Sequence, residues 1–204
     1  LHWAGEVQHG ATWAGQVVHP IDANGYGYSW GAGFGYETGD GLRFDATIDS
    51  LETQGIHITK AGLPAPDVNG EYTLMLRSTI GLANVYYDFG FGGDSFGYSG
   101  SGGAFGYVGA GAGVAWNHAQ VNGPVVGGVP TLIPTGGNVS PAAALMAGVG
   151  YDMGSWVADL GYRGLWIGQV NNSPTDEVAD PGLFYKIDNN IIHELRGTVR
   201  YRFN

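Results

Sequence analysis

Six histidines, eighteen carboxylates and eight cationic side chains are the groups in this 204-residue chain that could do chemistry. His2, His9, His19, His57, His118 and His193 form no HxH or HExxH pair, so metal ligation has no local signature. The absence of Cys removes thiolate sites and disulfide frameworks. Gly31-x-Gly33 and Gly109-x-Gly111-x-Gly113 have the spacing of nucleotide loops, but they lie inside alternating segments and open no helix, so they read as structural. Asp49, Glu52, His57 and His118, near strand ends, could assemble as acid, base or ligand. The simpler reading makes them solvated rim residues. No Ser has the surroundings of an activated nucleophile. The expectation is therefore no enzyme, no catalytic residue, no cofactor and no metal.

The charged side chains carry a different signal, which depends on the elements that hold them. Segments of about ten residues alternate with period two, the spacing that sends side chains to opposite faces of a strand. Tyr26, Tyr28, Trp30, Ala32, Phe34 and Tyr36 alternate with glycines and Ser29; after the turn Thr38-Gly39-Asp40-Gly41, Leu42, Phe44, Ala46 and Ile48 alternate with Arg43, Asp45, Thr47 and Asp49. Leu74, Leu76, Ile80 and Leu82 form a stripe opposite Thr73, Arg77 and Thr79, with a phase that blurs over 85–89 as at a bulge. Val108 to Trp116, Leu145 to Tyr151, Ala158 to Trp166 and Leu195 to Phe203 repeat the pattern. Eight strands are predicted near 1–9, 25–37, 41–52, 72–89, 103–118, 141–152, 155–169 and 190–203, in one domain spanning 1–204. Long links near 10–24, 53–71, 119–140 and 170–189 fall at one end of this meander, short ones at the other.

Arg43, Arg77, Arg163, Arg196, Arg200 and Arg202 fall on the polar stripe, with Glu6, Asp45, Asp49, Asp159 and Glu194 set against them. A water-facing stripe would be rich in Lys, Glu and Gln; this one is Gly, Thr, Ser, Asp and Arg. Paired guanidiniums and carboxylates fit a narrow interior, where an unpaired ion costs several kcal/mol. Glycines make room for them in an eight-stranded barrel. The apolar stripe then faces hydrocarbon, which about 9–11 tilted residues cross. Trp30, Trp116, Trp156, Trp166, Tyr36, Tyr151 and Tyr201 are the candidates for interfacial girdles. The predicted fold is an all-β, eight-stranded antiparallel up-and-down transmembrane β-barrel. Its interior is an ion-pair plug on one reading and a gated ion path on the other.

Gly31-Ala-Gly-Phe-Gly-Tyr36, Leu42-Arg-Phe-Asp-Ala-Thr47, Tyr107-Val-Gly-Ala-Gly-Ala-Gly-Val114, Leu145-Met-Ala-Gly-Val-Gly-Tyr-Asp152, Asp159-Leu-Gly-Tyr-Arg163 and His193 to Phe203 resemble the small outer-membrane β-barrels of Gram-negative bacteria, of the opacity-protein and OmpA transmembrane-domain type. The resemblance covers strands two to eight. It implies outer-membrane localisation with extracellular long loops and periplasmic termini. It also implies contact with outer-membrane lipid and lipopolysaccharide, and a structural or interactive role in membrane integrity, adhesion or lateral packing, with itself as a homo-oligomer or with a membrane-protein partner. A narrow, porin-like conduit for ions or very small solutes is the second reading. Gly197, Tyr201 and Phe203 resemble the family's signal to the barrel-assembly machinery, although Asn204 follows the aromatic residue.

A net charge of −10 leaves no basic face for nucleic acid. The longest apolar run, Ala142 to Tyr151, is ten residues with two Gly, too short for a membrane helix. A start at Leu1 suits a mature product whose targeting segment is removed or not built. Loop acids Asp22, Asp67, Glu71, Asp176, Glu177, Asp180 and Asp188 supply much of the charge and could share divalent cations with lipopolysaccharide phosphates, against the plainer reading of a solvated loop face.

Overall fold

The computed structural model describes residues 2–4, 12–13, 16–17, 26–60, 70–91, 102–126, 129–132, 135–171, 185–187 and 190–203. The alternating segments form strands: β1 (His2–Ala4), β2 (Tyr26–Glu37), β3 (Leu42–Lys60), β4 (Gly70–Gly90), β5 (Gly103–Val126), β6 (Gly136–Asp152), β7 (Trp156–Ile167) and β8 (Asn190–Tyr201). They lie in one antiparallel sheet, ordered β4-β3-β2-β1-β8-β7-β6-β5, with β4 also pairing β5 and the short strand Val129–Leu132 folding back on β5. Among the described residues the fold is all-β.

The short links are set by backbone chemistry. Gly39 and Gly41 between β2 and β3, and Gly154 between β6 and β7, have φ of 88°, 97° and 94°, in the left-handed region that costs glycine nothing. Thr38 N–H donates to the Leu42 carbonyl at 2.9 Å and closes the first turn. At the opposite end, Thr12–Trp13, Gln16–Val17, Val170–Asn171 and Tyr185–Ile187 form a separate four-stranded sheet. The two ends are called here the turn side and the loop side.

Three strands run further than their alternation predicts. β3, β4 and β5 are 19, 21 and 24 residues long, and they absorb much of the expected loops 53–71 and 119–140. The first strand is described only over His2–Ala4, which pairs Ile192–Glu194 of β8 and Tyr26–Gly27 of β2. On the turn side, no backbone pairing joins β2 to β8 among the described residues. The sheet is thus an antiparallel half-barrel, open along this seam.

The outer face of the wall exposes large apolar side chains, and the inner face buries charged groups beside apolar ones. Outward side chains include Phe34 (83% exposed), Val199 (69%), Leu160 (62%) and Ile48 (57%), while Arg163 and Asp49 are 1% exposed on the inner face and Glu194 is fully buried. Phe34 pairs Ala46 and Tyr36 pairs Phe44 across the outer wall. Towards the loop side the outer face turns polar, to Ser50, Glu52 and Gln54 on β3, Thr79 and Arg77 on β4, and His118, Gln120 and Asn122 on β5. No helix among the described residues is long and apolar enough to cross a membrane.

β4 departs from the expected phase. Its inner face carries Leu76, Ser78, Ile80, Leu82, Asn84, Tyr86 and Asp88, so Leu76, Ile80 and Leu82 point in, and Arg77 points out. A period of exactly two residues ties these together: placing Asn84, Tyr86 and Asp88 inside fixes the whole strand. No bulge occurs over 85–89, where pairing with β5 is continuous; the register shift lies between Thr53 and Ile56 on β3.

Candidate functional site: the charged interior

The inner face holds three linked clusters. At the centre, Arg196 reaches both oxygens of Asp49, with Nη2 to Oδ1 at 2.8 Å and Nη1 to Oδ2 at 3.2 Å. Arg163 donates to the same carboxylate from Nη1 at 2.5 Å and from Nε to Glu194. Ser29 Oγ donates to Glu194 Oε1 at 2.7 Å. Strands β2, β3, β7 and β8 thus meet on two buried acids. Guanidinium geometry suits this role, because a planar fork satisfies two carboxylates in one plane.

The second cluster lies towards the turn side on β3 and β4. Arg43 donates to both oxygens of Asp88, at 3.1 and 3.2 Å, and to Asp45 at 3.3 Å. Asn84 Nδ2 donates to Asp45 at 2.7 Å and to Thr47 at 3.2 Å. The Arg43 guanidinium stands 3.9 Å from the Tyr86 ring centroid, and Tyr86 meets Tyr107 edge-on at 5.9 Å. Glycines create this space: a Cβ on Gly109 would fall 2.3 Å from Tyr86, and one on Gly161 would fall 2.0 Å from the Tyr107 hydroxyl.

The third cluster closes the turn side. Arg200 Nη1 and Arg202 Nε each donate to Glu37 at 2.8 Å, and Arg202 also pairs with Asp152. Arg200 Nε lies 3.3 Å from Asp159, close enough for attraction but not aligned as a hydrogen bond. On the loop side the interior changes character. Leu51, Ile80, Leu165, Ile167, Val170 and Ile192 are almost completely buried there, beside an uncharged polar chain in which Ser78 Oγ donates to Asn117 Oδ1 at 2.7 Å and Asn117 Nδ2 donates to Ser140 Oγ at 2.8 Å.

Of the residues expected inside, Arg43, Asp45, Asp49, Asp159, Arg163, Glu194, Arg196, Arg200 and Arg202 converge in these clusters. Arg77 does not. Its side chain is 71% exposed on the outer wall, paired with Glu52 at 3.3 Å, because β4 runs in the opposite phase. Glu6 and the loop acids Asp22, Asp67, Asp176, Glu177, Asp180 and Asp188 lie outside the described residues, as does the side chain of Glu71. The interior also uses Glu37, Asp88 and Asp152, which completes Arg43, Arg200 and Arg202 and leaves carboxylates in excess. Parity could have found them: Glu37 shares the stripe of Gly31, Gly33 and Gly35, and Asp152 that of Gly148 and Gly150.

The alternative acid–base grouping does not come together. Asp49 faces inwards, whereas Glu52 and His118 face outwards, on opposite sides of the wall; the His57 side chain is outside the described set. Asp49 is therefore no rim residue. Among the described residues no group of three His, Asp or Glu side chains could hold a metal ion. Gly197 and Tyr201 lie on the outer wall, where Tyr201 packs edge-on against Trp156 at 4.9 Å and Phe203 at 5.0 Å. No family model, curated protein or solved structure matches this chain.

Proposed function

We propose that this chain is an eight-stranded transmembrane β-barrel of a Gram-negative outer membrane, related to the small opacity-protein and OmpA-like barrels. The observation that carries the reading is the contrast between the two faces of the wall. Phe34, Leu160 and Val199 stand exposed on one face, while Arg163, Asp49 and Glu194 are sequestered on the other. Such an arrangement is unstable against water and suited to lipid, where apolar area faces acyl chains and polar groups satisfy one another inside. The outward run Val108 to Trp116 on β5 is nine residues, matching the ~9–11 that a tilted strand needs to cross hydrocarbon. Pairing of β4 with both β3 and β5, and of β1 with both β2 and β8, supports closure into a barrel.

The function is structural or interactive: membrane integrity, adhesion or lateral packing, with long loops extracellular and lipopolysaccharide as the neighbouring lipid. Gly197, Tyr201 and Phe203 serve the barrel-assembly machinery during insertion. A plug rather than a conduit is favoured by the packing of the interior. Ions passing the charged clusters would still meet the tightly buried Leu51, Ile80, Leu165, Ile167 and Ile192 side chains and an uncharged Ser78–Asn117–Ser140 chain already bonded to itself, where an unpaired charge costs several kcal/mol. The test is reconstitution into planar bilayers after recovery of the protein in the outer-membrane fraction. Silent bilayers support the plug; stable unitary steps, abolished by bulky substitutions on the inner face, establish the porin reading instead.

A further inference from the structure

Among the described residues, the seam between β2 and β8 has two backbone edges without a strand partner, Ser29–Glu37 and Arg196–Tyr201, on the turn side of β1. His2 pairs Gly27 on one side and Glu194 on the other, so at the loop side the two edges are separated by a single strand. Continuing that register places Ser29 across from Arg196, Gly31 from Thr198 and Gly33 from Arg200 on the inner face, and Trp30 from Gly197, Ala32 from Val199 and Phe34 from Tyr201 on the outer face. The parities agree along the whole seam. Side chains rather than backbone cross it among the described residues: Ser29 reaches the long Glu194 beside β1, Glu37 receives Arg200 and Arg202, and Asp49 receives Arg196. Such reach matches edges about 10 Å apart, two strand spacings, rather than a direct ladder. Gly31, Gly33, Gly35 and Thr198 are exposed although they belong to the inward stripe, so the slot opens on the interior.

We propose that this slot takes one further strand of roughly eight residues, covalently continuous with β1 and lying N-terminal to His2. The inference rests on the membrane reading, because unpaired edges at hydrocarbon depth cost several kcal/mol per orphaned group. The strand runs antiparallel to both neighbours. Its outward residues are apolar, to match Ala32, Phe34 and Val199, and its inward residues are small or hydroxyl-bearing, to lie between Gly31 or Gly33 and the arginines. Continuity with the β1 ladder favours this source over a second copy, whose strand would enter without that register.

Amide hydrogen exchange in lipid nanodiscs tests the proposal. The 204-residue chain is compared with one lengthened ahead of Leu1 by an eight-residue strand of this pattern, and with the 204-residue chain plus the same peptide added separately. In the 204-residue chain, amides of Ser29–Glu37 and Arg196–Tyr201 that do not pair β3 or β7 exchange rapidly. The lengthened chain slows them at least 100-fold while staying monomeric, and the separate peptide does not. Equal protection in the unextended chain, protection that follows dimerisation, or rapid exchange in the lengthened chain overturns the proposal. Flotation of the same samples with liposomes reports membrane residence independently, so a failure of the membrane reading is distinguished from a failure of the slot.

Discussion

Replacing Arg163 by Met isolates the energetics of the buried network. The guanidinium is 1% exposed and serves two acids, Asp49 and Glu194, both almost wholly buried. Methionine keeps the length and apolar stem but removes the charge. Asp49 retains its two-point contact with Arg196, so the orphaned group is Glu194, left with Ser29 Oγ as its hydrogen-bond donor among the described residues. Removing one partner of a buried pair costs about 3–5 kcal/mol, mostly because the other charge stays uncompensated. The predicted loss is therefore about 3–5 kcal/mol for Arg163→Met, with most of it recovered in Arg163→Met/Glu194→Gln, where no orphaned charge remains. Urea unfolding in lipid vesicles, followed by tryptophan fluorescence, reads both values. A loss below about 1 kcal/mol, as for exposed pairs, would refute the reasoning, as would a double variant no better than the single one.

Two further predictions concern packing and pH. Gly161→Ala places a methyl against the Tyr107 hydroxyl and costs about 1–3 kcal/mol, whereas Gly197→Ala, with nothing within 4 Å of its Cβ position, is tolerated in the same urea titration. In the β2–β3 turn, the Thr38 hydroxyl and then the Leu42 N–H hold the Asp40 carboxyl below its usual range, against a small opposing effect of burial. The folded value is depressed, so the contribution is present above the ordinary carboxylate pKa and disappears as pH falls through the depressed one. Asp40→Asn should flatten this acid limb of the unfolding curve and leave the neutral-pH slope unchanged.

The alternation of Tyr26–Tyr36, Val108–Trp116 and Leu195–Phe203 was legible in the sequence because glycine or arginine on the intervening positions leaves one assignment of faces. β4 was not. Leucine, isoleucine, serine, asparagine and aspartate share its inner face, and Arg77 sits among threonine, alanine and valine on the outer one. Polarity there could not set the phase; pairing with Arg43 through Asp88 does. The apolar group around Leu51, Ile80 and Leu165 was hidden for a related reason. Apolar residues at positions of inward parity look like irregularities in a stripe until strands distant in sequence bring them together. Strand ends were misjudged where β3, β4 and β5 run past the apolar band, since polar side chains on both faces of an extended pair resemble a loop. Glu37 and Asp152 were missed at strand termini, where parity was readable but each partner arginine lies more than 45 residues away.

The most direct test of the central claim is spin-label accessibility at single cysteines in the reconstituted protein, made simple by the absence of native Cys. Labels at Leu160, Val149 and Val199 should be relaxed by oxygen from the acyl chains and shielded from a water-soluble nickel chelate. A label at Thr47 or Ala144, both on the inner face, should lose contact with lipid-borne oxygen. Nickel access at the first three sites, with lipid contact at the last two, would contradict the account.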